Sequence, residues 1–395
     1  MYRRPVIGAV VVGAAVLLGA CINFDPPQVA PASGDATARS RDVVLVDVTG
    51  DGVDDPVVLT TADVLTWLAP CGTGCWERRE EIELTEPSRI TAAEFDGDGA
   101  ADVVVTLGSG VRVYWGGAAS GSRPAGLVAT DASDIDATTI GGTPAVGDVN
   151  GDGALDVAVI GTDPGQFVYR YVDMLGNGAG GFAPAVERFE APQQGAVRGP
   201  ATGDIDGDGD DEVLAAFTRI NGVSFIRIFG DDLDDTGIAA VGAYVDALAT
   251  GDLNGDSLDD VVARERPPGA EVRFNLLRSN GQWLVGFGPV EEEPTLLPSG
   301  ATTAGDFVVQ DLDGDGRTDL LASDGVSRIS WWHGNGDGTF VEVNGQSRVD
   351  RAAGPGANAL ATGLLAGDTR PDLLVANSTA PNAQVTILPN ASVLP

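Results

Sequence analysis

An acidic nine-residue pattern returns six times along this chain, and its period decides what the chain can fold into. It reads D-V-T-G-D-G-V-D-D from Asp47, E-F-D-G-D-G-A-A-D from Glu94, D-V-N-G-D-G-A-L-D from Asp148, D-I-D-G-D-G-D-D-E from Asp204, D-L-N-G-D-S-L-D-D from Asp252 and D-L-D-G-D-G-R-T-D from Asp311. A decayed copy, L-L-A-G-D-T-R-P-D, starts at Leu364. Successive starts lie roughly fifty residues apart, a spacing that marks a repeat architecture.

The flanks of the pattern select the architecture. Each copy is preceded by a short apolar run and followed by another, such as V-V-L-V from Val43 and then V-V-L from Val57. These runs are rich in Val and bounded by turn residues, so they read as strands. A third run follows in each unit, as in V-R-V-Y-W from Val111 and R-I-S-W-W from Arg328. A fourth is visible in places, as in W-L-V-G-F from Trp283 and F-V-E-V from Phe340. Four short strands per unit make one propeller blade, and no helical periodicity competes with them. The expected fold is all-β: a seven-bladed β-propeller of four-stranded antiparallel blades over residues 42–395. The last unit runs short of residues, so part of residues 28–40 is expected to supply its outer strand, because an unpaired edge is a liability.

The units resemble the FG-GAP/VCBS repeats of integrin α-subunit propellers and bacterial surface proteins. The resemblance covers roughly residues 42–389 and includes the turns L-G-N-G-A-G-G-F from Leu175 and G-N-G-D-G-T-F from Gly334. It implies that the acidic loops join the first and second strands of each blade, all on one face. It also implies that ligand-binding loops stand on the opposite face, for which residues 116–142, 231–242, 291–302 and 344–358 are the candidates.

The acidic loops have the donor chemistry of calcium sites. Calcium takes six to eight oxygen ligands. Positions 1, 3, 5 and 9 of such a loop can converge on one ion, with a carbonyl from position 7. The expected ligand sets are Asp47, Thr49, Asp51 and Asp55; Glu94, Asp96, Asp98 and Asp102; Asp148, Asn150, Asp152 and Asp156; Asp204, Asp206, Asp208 and Glu212; Asp252, Asn254, Asp256 and Asp260; and Asp311, Asp313, Asp315 and Asp319. Up to six structural Ca2+ sites follow. The seventh copy has Leu364 and Ala366 where ligands belong, so no ion is expected there although Asp368 and Asp372 persist. An EF-hand would need a Glu at position 12 and flanking helices, and these loops have neither. Acidic glycine-rich loops are also good turns, but carboxylates brought together without a cation repel one another, and six copies make cation binding the stronger reading.

Composition agrees with this. The chain carries 58 acidic and 23 basic residues for a net charge of −35, which disfavours nucleic acid as a partner. Arg3 and Arg4 followed by an apolar stretch over residues 6–20 read as a signal peptide, too short to span a membrane with confidence. Leu18-Gly19-Ala20-Cys21 resembles the lipobox of bacterial lipoproteins, which implies cleavage before Cys21 and acylation on it. Membrane attachment through that lipid and a cell-envelope location follow, with Ile22 favouring the outer membrane. Residues 21–41 read as the lipidated Cys and a flexible tether rich in Pro, Ala and Ser. Cys71 and Cys75 read first as a short-loop disulfide in an oxidising compartment, against weaker zinc and redox alternatives.

The functional expectation is a non-catalytic binding, scaffold or adhesion module whose protein or glycan ligand the sequence does not name. The alternative is a propeller that binds or degrades polysaccharide as a hydrolase or lyase. Trp67, Trp115, Trp331 and Trp332 could stack on sugars, but third-strand aromatics usually pack between blades. The single histidine, His333, follows two Trp residues beside a turn and reads as a surface residue.

Overall fold

The computed structural model describes residues 23–24 and 28–391, apart from 73–74, 109, 121–123, 130–131, 137–140, 164–167, 193–194, 231–236, 282–283, 287–294, 299–300, 341–348 and 366–369. The signal segment, Cys21 and Asp368 lie outside the described residues.

Seven antiparallel sheets close into a ring. Their first strands are Ser40–Val46, Pro87–Ala93, Gly141–Gly147, Gly195–Gly203, Val245–Gly251, Phe307–Gln310 and Ala357–Gly363. Their second strands are Asp55–Thr60, Asp102–Leu107, Asp156–Asp163, Glu212–Arg219, Asp260–Glu265, Asp319–Ser323 and Asp372–Asn377. Each second strand therefore begins on position 9 of its acidic loop. Helix is confined, among the described residues, to one 3-10 turn, Pro381–Ala383.

The core is divided as the ring is. Seven apolar clusters form, and each spans one junction between neighbouring blades. Alternate residues of a second strand serve opposite junctions: Val57 and Leu59 pack toward blade 2, whereas Val58 packs toward blade 7. The second strands Asp55–Thr60, Asp102–Leu107 and Asp260–Glu265 are buried along their whole length, which is why they read as unbroken apolar runs. Trp67, Trp331 and Trp332 are buried in these junctions, so they are packing residues.

Ring closure uses the N-terminal segment. Gln28–Pro31 pairs antiparallel with Gln384–Leu388 and is the outer strand of blade 7, while Asn23–Phe24 pairs with Asn390–Ala391. Ala30, Ala32 and Ala38 are buried at the junction of blades 7 and 1. Residues 28–41 thus belong to the ring, which corrects the tether expected over residues 21–41; alanines that look like linker composition are here buried packing residues. Cys71 and Cys75 are bonded at the hairpin between the third and fourth strands of blade 1, with Cα atoms 5.1 Å apart.

The fourth strands differ from expectation. In blade 6 the fourth strand is Val349–Ala352, and Phe340 forms only an isolated bridge to Gly334. In blade 5 it is split into Leu284–Gly286 and Thr295–Pro298, both paired with Arg273–Ser279. The candidate binding loops also shrink, because Ala132–Asp136, Gly237–Ala243, Thr295–Pro298 and Val349–Ala352 are fourth strands within them. The alternation of strand direction also moves the described part of residues 116–131 to the face of the acidic loops. A connection from a third to a fourth strand lies on the same face as the acidic loops, not opposite; accordingly Gly117 N–H donates to Val48 C=O at 3.0 Å.

Removing residues up to Pro31 exposes the edge of Gln384–Leu388 and uncovers the alanine-lined end of one junction. The expected cost is about 3 kcal/mol, with concentration-dependent association through the open edge. Calorimetry and gel filtration of the truncated chain check this, and an unchanged melt would show that the strand is dispensable.

Candidate metal centres

Every acidic loop is built on two carboxylates with different tasks. The position 1 carboxylate faces a row of backbone N–H groups. Asp47 accepts from Thr49, Gly50 and Asp51 on one oxygen and from Gly52 on the other, at 2.6–3.2 Å. Glu94 accepts from Asp96, Gly97 and Gly99, Asp252 from Asn254, Gly255 and Ser257, and Asp311 from Gly314, Asp315 and Gly316. Asp148 accepts from Asp152 and Gly153, and Asp204 from Gly207. Positions 3 and 5 each cap the N–H two residues on, as Asp206 does for Asp208 and Asp208 for Asp210.

The position 9 carboxylate is buried and fastens the loop to the blade. Asp102 accepts from Phe95 N–H at 3.0 Å and from Gly116 N–H at 2.8 Å, joining the loop to the exit of the third strand. Asp156 does the same with Val149 and Gly176, Asp260 with Leu253 and Ser279, and Asp319 with Leu312 and Gly334. Glu212 accepts from Ile205 at 2.8 Å.

The loops differ in how many carboxylates they bring together. Where position 3 is acidic, three ligand atoms come within 4.8 Å of one another: Glu94, Asp96 and Asp102; Asp204, Asp206 and Glu212; Asp311, Asp313 and Asp315. Asp98 and Asp208 stand outside their triads. Where position 3 is the neutral Thr49, Asn150 or Asn254, the carboxylates of Asp47, Asp51 and Asp55, of Asp148, Asp152 and Asp156, and of Asp252, Asp256 and Asp260 form no such triad among the described residues. Asp55 Oδ2 and Asp313 Oδ2 are buried with no hydrogen-bond partner, which leaves an acceptor for a cation in each of those loops. The donor sets fit a hard cation that accepts mixed carboxylate, amide and hydroxyl oxygens.

Two groups of functional residues escaped the sequence reading. In blades 1, 2, 4 and 5 position 8 ties the loop to the one before it in the ring. Asp54 N–H donates to Leu364 C=O at 2.9 Å, and Leu364 N–H donates to Asp54 Oδ2 at 2.6 Å. Asp211 and Asp148 repeat that exchange at 2.8 and 3.0 Å, and Asp259 N–H reaches Asp204 C=O at 2.8 Å. The D-D dyads at positions 8 and 9 were the available signal. His333 is the second case and corrects the surface reading: it is buried against the sixth loop, with Nδ1 3.2 Å from both Asp313 Oδ2 and Asp319 Oδ1.

The opposite mouth of the ring has different chemistry. First strands start there and second strands end there. A cavity of about 440 Å³ is lined by Arg89, Arg198, Arg264 and Arg266 with Asp42, Asp246 and Asp306. Asp246 holds Arg264 Nε at 2.7 Å and Arg266 Nε at 2.9 Å. Burial raises the carboxyl of Asp42 to about 6, against the opposing pull of Arg89.

A family model described as an FG-GAP-like repeat matches residues 94–159, 148–215, 252–322 and 311–375, together more than half of the chain. No curated protein matches. Among solved structures, an Agrocybe aegerita lectin described as recognising non-reducing terminal N-acetylglucosamine is similar at 17% identity and a TM-score of 0.50, over 80% of this chain and 85% of that one. BBS1N in complex with ARL6DN, soaked with mercury, is similar at 12% identity and a TM-score of 0.56, over 94% of this chain and 98% of that one. At these identities the likeness concerns the fold alone.

Two predictions follow from the loops. Ser257 occupies position 6 with φ +70°, where Gly52 and Gly316 have +83° and +82°. A side chain is strained there, so Ser257→Gly should stabilise the fold by about 0.5–1 kcal/mol despite the extra freedom of Gly in the unfolded chain. Denaturant titration checks the gain, and a loss would place the Ser257 hydroxyl in a role of its own.

The second concerns pH. Burial, the largest cause in each case, and neighbouring carboxylates raise the position 9 acids: Asp55 and Glu212 to about 8, Asp102, Asp260 and Asp319 to about 7, and Asp156 to about 6. These values exceed those of the unfolded chain, so proton binding favours the fold. The stabilisation is complete below the unfolded carboxylate range and is lost as pH rises through about 6 to 8. In chelator the melting temperature should therefore fall steadily from about pH 5 to about pH 8. A flat profile would mean that these acids are not held together in the metal-free protein.

Proposed function

The chain belongs to the FG-GAP-like repeat family, and on that premise we propose that it is a calcium-stabilised, non-catalytic binding module of the bacterial cell envelope. Lipid on Cys21 anchors it, and its ligand binds at the mouth opposite the acidic loops. The observation that carries this reading is the collection of Arg89, Arg198, Arg264 and Arg266 around one cavity in a chain of net charge −35. Elsewhere acidic side chains outnumber basic ones, so this mouth is an uncommon concentration of guanidinium donors. Such a cavity suits a polar ligand bound by hydrogen bonds and charge.

The strand order supports the orientation. Asn390–Ala391 follows the third strand of blade 7, so Asn23–Phe24, which pairs with it, lies toward the acidic face. An acylated Cys21 two residues before Asn23 would hold that face toward the bilayer and leave the arginine-lined mouth open. Calcium in up to six loops fits the oxygen donors and supplies the charge that the crowded carboxylates lack.

A carbohydrate ligand is the second reading, favoured by the polar lining of the mouth and the likeness to a lectin fold. Among the described residues no aromatic side chain lines this cavity, so a sugar would be held there by hydrogen bonds and not by stacking.

The test is a binding screen of the calcium-loaded protein against glycans and envelope proteins, repeated with Arg198→Ala and Arg266→Ala. Each substitution should weaken a ligand of this mouth about tenfold or more while leaving the melting temperature in calcium unchanged. A ligand indifferent to both substitutions binds elsewhere. Calcium stoichiometry measured on the same samples decides the metal part: no bound calcium, together with a melt indifferent to chelator, removes calcium from the proposal.

A further inference from the structure

The sixth loop differs from the others in one ligand. The residue just before the N–H that position 9 accepts is Trp115 in blade 2, Leu175 in blade 3 and Arg278 in blade 5, but His333 in blade 6. It is the only histidine of the chain. The third strand Arg328–Trp332 ends against the loop, and the Trp331 ring packs at 5.4 Å and 64° against the imidazole, fixing its plane.

The imidazole Nδ1 lies 3.2 Å from Asp313 Oδ2 and 3.2 Å from Asp319 Oδ1. Asp313 is 2% exposed, Asp319 0% and His333 9%, and their ligand atoms all fall within 4.8 Å of one another. Asp313 Oδ2 and His333 Nδ1 are buried and neither has a hydrogen-bond partner. Orphaned polar atoms facing each other at this depth cost free energy unless something occupies the point between them. The other ring nitrogen, Nε2, lies 3.5 Å from Asp315 Oδ2. A carboxylate in that place favours the tautomer with the proton on Nε2 and leaves Nδ1 as a lone-pair donor.

Calcium takes oxygen ligands, whereas a neutral imidazole with two carboxylates is a donor set for a borderline divalent transition metal. Bonds of about 2.0–2.1 Å in a tetrahedron place neighbouring ligand atoms about 3.3 Å apart, close to the two separations of 3.2 Å from His333 Nδ1. We propose that blade 6 holds a zinc-class ion on His333 Nδ1, Asp313 Oδ2 and Asp319 Oδ1, with Asp315 as the positioning residue behind the imidazole. In blade 6 this ion takes the place of calcium, because both would need Asp313 and Asp319; the calcium proposed for the other five loops does not depend on it.

A single histidine makes the test direct. The full chain, labelled with 15N-histidine and saturated with calcium, gives one pair of imidazole nitrogens. One equivalent of Zn2+ should move the Nδ1 resonance to its metal-bound position and leave Nε2 protonated. Titration calorimetry in excess calcium should find one zinc site per chain. His333→Gln should abolish that site without changing calcium bound by the other loops, and Asp313→Asn should weaken it at least tenfold. Imidazole resonances that ignore zinc, or an imidazole protonated on both nitrogens in its presence, would mean that the ring itself fills the loop as a cation and would overturn the proposal. A zinc site that survives His333→Gln would overturn it equally. The resonance measurement uses the unaltered protein, so a variant that fails to fold does not blunt the test.

Discussion

The rest of the ring depends on a buried carboxylate at the head of each second strand. It sits where the chain leaves the acidic loop and enters the core, and in blades 2, 3, 5, 6 and 7 it accepts one N–H from the loop and another from the exit of the third strand. Burying a carboxylate costs several kcal/mol, and charge-assisted hydrogen bonds of about 1.5–3 kcal/mol each offset it. The seventh blade shows which part of the motif is indispensable. Leu364 and Ala366 have replaced two ligands there, yet Asp372 still accepts from Leu365 at 2.8 Å and from Asn390 at 2.6 Å. Blade 7 lost its ligand set and retained this carboxylate. Position 9 therefore belongs first to the fold, and only then to any ion.

Position 1 links that local device to the whole ring. Its carboxylate gathers the loop's own N–H groups, and at Asp47, Asp148 and Asp204 its C=O also accepts the N–H of position 8 in the next blade. The Leu364–Asp54 exchange closes the ring between blades 7 and 1 with the same two bonds that join Asp148 to Asp211. A cation drawn into a loop thus stiffens a segment that also docks a neighbour.

What the sequence revealed and what it hid follow from burial. The second strands are covered on both faces, so Val57, Val58 and Leu59 read as an uninterrupted apolar run. The fourth strands are outer edges. Cys75–Glu83 alternates between half-buried and exposed over most of its length and is crowded with charge, so nothing apolar marked it as a strand. Val349–Ala352, with Asp350 and Arg351 exposed, likewise carries no apolar alternation that separates it from a loop. His333 was misread for another reason. Its burial is set by Asp313 and Asp319, which come from an earlier turn of the same blade and meet it only once the third strand has returned to the acidic face.

The same alternation of strand direction divides the molecule chemically. One face receives all the acidic loops, where carboxylates crowd together. The other receives the starts of the first strands, where Asp246 is shared by Arg264 and Arg266 and where the carboxyl of Asp306 is raised by burial and restrained by Arg264. First strands such as Val245–Gly251 are only half-buried along most of their length, because they line the axis of the ring and not a blade junction. They are therefore free to carry polar side chains at their starts without disturbing the apolar junctions that the second strands build. Seven such starts meet around one axis, each from a blade that is held by its neighbours elsewhere. A change of ligand at this mouth needs substitutions only in the first strands and second-strand ends that reach it, whereas a change at position 9 must be answered by the whole blade.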